Sequence, residues 1–259
     1  MSDKHFELTD ETVVHNGVTL HRIRATRDLP DYGVTAGDLG GFVESMDNLE
    51  DRVWVADNAK VYGNARIEGR AYVCENACVY GNARVGVFAV VSGSAQVYGD
   101  TTVSNRAMVR GAAHVYGNAK VQGKAWISGS AHVFDYAYVF GDALVRDEAR
   151  VSGIARIYGN AEIYGCATVS DNATISDNAL VGGKAYIGGY APHVNGSAHV
   201  TDNARVDGHS WVRGNALICG STHISGNAVA TGSAHLDSVT LSGKDSAINN
   251  SILRRPQVR

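Results

Sequence analysis

What is scarce in this 259-residue chain narrows its class before any motif is read. It has 3 proline, 3 methionine and 5 phenylalanine residues, a bias that points to one regular object. Its four cysteines (Cys74, Cys78, Cys166 and Cys219) are too few and too scattered for a secreted disulfide framework. Cys74 and Cys78 lie close together, but no second pair of ligands follows at metal-site spacing, so no zinc site is expected. The opening MSDKHFELTD lacks the apolar segment of a secretion signal, and no run of about 18 apolar residues occurs. A net charge of −3 and a pI near 6.3 give no bulk basic character, so neither a nucleic-acid footprint nor a membrane partner is expected. A cytoplasmic, soluble protein is the expectation.

What is abundant is glycine, with 30 residues, in a chain that is 44% hydrophobic. Long helices tolerate so much glycine poorly, and a disordered chain carries less apolar residue. The organising feature is a six-residue repeat, V-x-G-N-A-x. Aliphatic residues fall at Val55, Val61, Ile67, Val73, Val79 and every sixth position to Ile187. One extra residue enters at GGYAPHV, and the register resumes at Val194, runs to Ile224 and weakens at Ala230 and Leu236. This period excludes a helix, which needs apolar spacings of three and four.

Each position has a physical role. Small residues such as Ala59, Ala65 and Ala71 stand two before the next aliphatic residue, so both point the same way on a strand. Together they fill a narrow interior, while neighbours such as Lys60 and Tyr62 point outward. Two positions after each aliphatic residue comes Gly, Asn or Asp, the types that tolerate a left-handed corner; Glu75 and Val87 depart from that rule. Close variants of VYGNA recur at Val61, Val79, Val97 and Val115, which supports three sides per coil. The expected fold is all-β: about ten stacked triangular coils of three hexapeptides each.

The repeat resembles that of the hexapeptide-repeat family, whose fold is the left-handed parallel β-helix. The left hand is what the resemblance implies, since the general crossover rule favours the right. The likeness spans residues 49–236. Residues 1–48 fall outside it: TVVHNGVTLHRIRA reads as a hairpin turning at Asn16-Gly17, followed by Gly-rich turns, an arrangement expected to cap the first coil. Ala36-Gly37, Gly40-Gly41, Phe42 and Val43 also resemble the start of YdcK-type proteins, a bacterial hexapeptide subgroup described as transferases. Residues 237–259 lose the hexad and read as an irregular last coil and tail. Leu241, Ile248, Ile252 and Leu253 are candidate plugging residues, and Arg254, Arg255 and Arg259 form a basic terminus.

Outward positions recur once per coil and form columns along each face. On the first face the column before the aliphatic residue reads Trp54, Tyr72, Val90, Met108, Trp126, Leu144, an apolar strip expected to be exposed and to form an interface. On the second face the column after it reads Tyr62, Tyr80, Tyr98, Tyr116, Phe134. Such a ladder also stabilises stacked strands by itself. Hexapeptide proteins are often trimers, so a homo-oligomer, with a trimer favoured, and a protein partner are the expected associations.

Enzymes of this family generally use a histidine as general base in acyl transfer, which makes His114 and His132 the catalytic candidates. They stand on the second face beside the tyrosine ladder and are expected to stack in neighbouring coils. The other histidines read as surface or end positions. Two features argue against catalysis: the repeats carry no long interrupting loop, and the tail has no helical period. The Gly pairs are corners, so they do not indicate a phosphate loop. The leading expectation is therefore an oligomeric binding scaffold without cofactor. The alternative is an acyltransferase using acetyl-CoA or another acyl-CoA between subunits. Metal binding like that of a carbonic anhydrase would need converging histidines.

Overall fold

The computed structural model of the chain describes residues 4–50, 52–249 and, for the backbone alone, 251–253. It divides into two compact units, Met1–Lys124 and Ala125–Arg259.

The first unit begins with strand β1 (Phe6–His15), which turns at Asn16-Gly17 into antiparallel β2 (Val18–Ala25). Both turn residues have positive φ, 50° and 80°, as a two-residue turn that matches the strand twist requires. β2 pairs antiparallel with β3 (Leu39–Val43), whose other edge pairs in parallel with Lys60–Val61. From Trp54 to the end of this unit the strands are two residues long and recur every six residues. Each holds one outward side chain and one interior aliphatic side chain before the chain turns.

Parallel pairing stacks these strands into three faces. The first carries Trp54, Tyr72, Val90 and Met108 in register, the second Lys60, Cys78, Gln96 and His114. The third carries Arg66, Arg84, Thr102 and Lys120. The interior is what the repeat predicts: Val61, Ala65, Ile67, Ala71, Val73 and Ala77 are all 0% exposed. Burying one aliphatic side chain per side stabilises the coil by about 1.5–3 kcal/mol, which offsets the ordering of a short chain segment.

The corners of this unit show why Gly dominates. Gly93 has φ 71°, and a Cβ there would come within 2.7 Å of Gly111 N and O in the next coil. Glu75 and Val87, which break the residue rule, nevertheless adopt the same left-handed conformation, with φ 61° and 50°. Phe88 follows Val87 at φ 62°, and both side chains are exposed. A β-branched residue at positive φ is strained, so this corner stores energy that its neighbours offset.

The second unit repeats the pattern. Its first face reads Trp126, Leu144, Glu162, Leu180, His199, Leu217, His235. Its second face runs from His132 through Arg150, Thr168, Tyr186, Arg205 and His223 to Thr240, and its third from Tyr138 to Ser246. The extra residue at GGYAPHV is absorbed between Tyr186–Ile187 and His193–Val194, and parallel pairing resumes at once. A compensating shortening follows Asp237.

The tail adds the last coil expected of it, but not the plug. Thr240–Leu241 and Ser246–Ile248 pair in parallel on the preceding strands, so the two units contain about 11 coils, the ten of the repeat and this last one. Leu241 joins the interior at 0% exposure, but Ile248 is 44% exposed and does not plug it, because it stands on the outward phase of its strand. Ser251–Leu253 turns back antiparallel on Ser246–Ile248. The side chains of Ile252 and Leu253, and the arginines at 254, 255 and 259, lie outside the described residues. Among the described residues no helix is long and apolar enough to cross a membrane.

Candidate functional site

The expected tyrosine ladder is present in the first unit. Tyr62, Tyr80, Tyr98 and Tyr116 stack with ring centroids 5.0, 4.8 and 5.0 Å apart and planes within 5° of parallel. The strand repeat sets that separation, which falls in the range where aromatic pairs attract. Tyr80 donates its hydroxyl to Gln96 Oε1 at 3.3 Å. Burial, reinforced by the neighbouring phenols, pushes the Tyr80 pKa up to about 12, and Tyr98 shifts the same way. These two phenols therefore keep their protons well above neutral pH. Phe134 belongs to the second unit, where the Arg150 guanidinium lies 5.4 Å from its ring centroid.

The ladder is not open along its length. Tyr62 is only 6% exposed, packed with Leu20 of β2 and Phe42 of β3, while Val13 and Val18 press on the same cluster. Asn16, at the hairpin turn, donates to the Tyr62 hydroxyl at 3.1 Å. The first-face strip is likewise covered where it begins. Trp54 is 2% exposed, because β3 crosses it: a Cβ on Gly40 would come within 2.7 Å of both Trp54 Cζ2 and Ile23 Cγ1. Tyr32 lies over Tyr72 at 5.6 Å and donates its hydroxyl to the Arg52 carbonyl at 2.9 Å. The expectation that the whole strip is exposed fails for this reason: the N-terminal segment already occupies its first rungs. Val90 and Met108 continue it half-buried in the first unit, and Trp126 pairs in register with half-buried Leu144 in the second.

His114 and His132 stand at half-buried strand positions of the first and second units respectively. The His114 ring meets Tyr98 edge-on at 6.4 Å. The cysteines are poorly suited to nucleophilic chemistry. Burial pushes the Cys74 thiol up to about 11, and also raises Cys78, whose Sγ lies 3.9 Å from His15 Nε2. The same burial lowers His15, with Lys60 acting in the same sense, so neither member of that pair gains charge from the other. Among the described residues no group of three or more His, Cys, Asp and Glu is arranged to hold a metal ion.

Three clusters of the second unit stand outside the two aromatic columns expected from the sequence. At the inserted residue, Tyr190 is 78% exposed and its ring stands 5.1 Å from His209. Beside it, His193 stacks on Trp211 at 4.3 Å and 18°, and Trp211 is 39% exposed. On the first face, Tyr164 Oη lies 2.8 Å from His199 Nε2, and Arg146 joins Glu162 at 2.6 Å while covering the Tyr164 ring. Gly182 makes room for that ring, since a Cβ there would clash with it. On the second face, Asp207 accepts from Arg205 at 2.7 Å and lies 3.1 Å from His223 Nε2. These two hydrogen bonds, with the charges beside them, outweigh burial and hold the Asp207 carboxyl below the usual carboxylate range. The one signal for Tyr190 was the register break itself, whereas His193 meets Trp211 because parallel pairing sets them side by side on adjacent strands.

Fold and surface together define a parallel β-solenoid with aromatic clusters on its outer faces. No protein-family model matches the chain, and no curated protein matches it.

Proposed function

We propose that this protein is a non-catalytic scaffold of the hexapeptide type, which self-associates and holds another macromolecule on outward-facing aromatic side chains. The observation that carries the reading is the pair Tyr190 and Trp211. Each large ring is exposed, contributes nothing to the interior, and is backed by an imidazole that limits its freedom. Rigid Tyr and Trp side chains lose little entropy on contact, which makes them effective anchors. Half-buried apolar rungs, Met108 on the first unit and Trp126 on the second, each supply a surface for self-association, in keeping with the trimers common in the family that the repeat resembles.

Sedimentation tests this directly. The expected mass is three times the 27.4 kDa chain, falling to that of one chain in Met108→Lys or Trp126→Lys. A wild-type protein that stays monomeric at micromolar concentration, or lysine variants with unchanged mass, would reject the reading. The scaffold reading also expects no acetyl-CoA binding that depends on histidine. Saturable binding lost in a His114→Ala/His132→Ala variant would replace it with acyl transfer.

A further inference from the structure

The third face of the first unit carries an arrangement that packing does not explain. Arg66 and Arg84 stand directly opposite each other on paired parallel strands, and the same column continues through Thr102 to Lys120. Like charges in register on adjacent strands repel and destabilise the sheet. Arg84 has one weak partner, Glu68 at 3.8 Å, and Arg66 makes no side-chain hydrogen bond or ion pair among the described residues. Both are exposed, in a chain whose net charge is −3.

The two guanidinium groups line a cleft of about 380 Å³. Its far wall is an amide ladder: Asn64 Nδ2 donates to Asn82 Oδ1 at 3.0 Å, and Asn82 Nδ2 donates to Asp100 Oδ1 at 2.7 Å. The one carboxylate lining the cleft, Asp100, accepts from the ladder through Oδ1. Thr102, on the strand after Arg84, adds a hydroxyl to the lining. Arginine's planar fork clamps one phosphate through two parallel hydrogen bonds. Strand pairing sets the backbones that carry the two forks about 4.8 Å apart, so both forks reach the same cleft. One phosphate can be shared by both forks, whereas a chain of phosphates gives each fork its own phosphoryl group and brings more charge into the cleft.

We infer that the Arg66–Arg84 cleft is a binding site for an oligophosphate anion, with one terminal phosphate on each guanidinium. The site is independent of the aromatic surface and of self-association. A ligand there relieves the repulsion between the two arginines, so its binding stabilises the fold by mass action.

Calorimetry with orthophosphate, pyrophosphate and tripolyphosphate at constant ionic strength tests the site. Affinity is expected to rise at least about tenfold from orthophosphate to tripolyphosphate. Arg66→Gln and Arg84→Gln are each expected to lose about tenfold for tripolyphosphate, while the control Arg156→Gln changes it less than about twofold. Arg66→Lys should fall between, because it keeps the charge and loses the fork. The glutamine variants should melt no lower than wild type, since they remove repulsion and touch no interior residue. The inference is overturned by equal affinity for the three anions, by no binding of any, or by an equal loss in Arg156→Gln and Lys120→Gln, which marks diffuse attraction.

Discussion

Asp171 Oδ2 accepts the backbone N–H of Gly189 at 2.7 Å, reaching one coil along the stack from a corner where Asp171 itself has φ 57°. Asp135 with Gly153, Asp147 with Gly165 and Asp202 with Gly220 make the same contact at 3.1, 2.9 and 2.9 Å. Glu75, with its longer side chain, makes it to Gly93 at 2.7 Å. An acidic residue at a corner thus does more than tolerate the left-handed conformation. It satisfies an amide that the turn would otherwise present to water.

That contact predicts an order of stabilities. Asp171→Ala removes an acceptor shared by Gly189 N–H, Ser170 Oγ and Tyr186 Oη, and keeps a Cβ at positive φ without the side-chain oxygen that makes aspartate tolerable there, for a combined loss of about 2–3 kcal/mol. Asp171→Gly removes the acceptor but also relieves the Cβ at positive φ, and should lose roughly half as much. Urea midpoints for the two variants measure the difference. Equal losses would mean that the hydrogen bond, and not the backbone, accounts for the whole effect.

Corner glycines separate backbone strain from crowding. Gly93 and Gly243 both have positive φ, but a Cβ on Gly93 meets Gly111 at 2.7 Å whereas one on Gly243 meets nothing within 4 Å. Gly243→Ala should therefore cost about 1–2 kcal/mol, the conformational term alone. Gly93→Ala should cost more by at least about 1 kcal/mol, since two coils must move apart. Identical denaturation midpoints would show that the stack yields without resistance.

Burial of Trp54 reverses its expected role, and the two readings differ in what truncation does. Trp54→Ala should lower stability by about 3–5 kcal/mol, the range for a buried aromatic side chain, whether or not the protein is associated. Trp211→Ala, at an exposed ring, should cost less than about 1 kcal/mol. Thermal melts at two protein concentrations decide this. A Trp54→Ala variant that melts like wild type when dilute would return Trp54 to the surface.

The interior was legible residue by residue because it obeys a local rule. Val61, Ala65 and Ile67 are sealed by their own hexads, and no distant segment is needed to bury them. The columns were legible for the same reason, since Tyr80 and Tyr98 stack wherever the coil repeats. What covers a column is a different kind of fact. Leu20 and Phe42 close over Tyr62, and Tyr32 lies on Tyr72, only because the hairpin and its following loop fold back from outside the repeat. GGYAPHV announced a register break, and with the register resumed at Val194 the one-coil spacing of His193 and Trp211 sets them side by side; that Tyr190 would lie exposed beside His209 was not legible. Arg66 and Arg84 sit inside a regular hexad, and their significance lies in the register between coils and the small number of acids around them.

The His193–Trp211 stack carries a pH dependence whose sign follows from burial. Burial lowers the His193 pKa below its ordinary value of 6.5, so the unfolded chain binds the proton more readily than the folded one. Stability from this group is complete above about pH 6.5 and is lost as pH falls through the lower, folded value. His15 shifts in the same direction, so the wild-type profile contains both groups and a variant is needed to separate them. His193→Gln keeps a planar polar side chain without a proton to gain. Urea unfolding at pH 7.5 and 5.5 should show a smaller acid loss in His193→Gln than in wild type. The Trp211 emission, isolated by comparison with Trp211→Phe, should change over the same window in wild type only. If both proteins lose equal stability and the emission is flat, the ring pair does not sense protonation and the acid sensitivity belongs to His15.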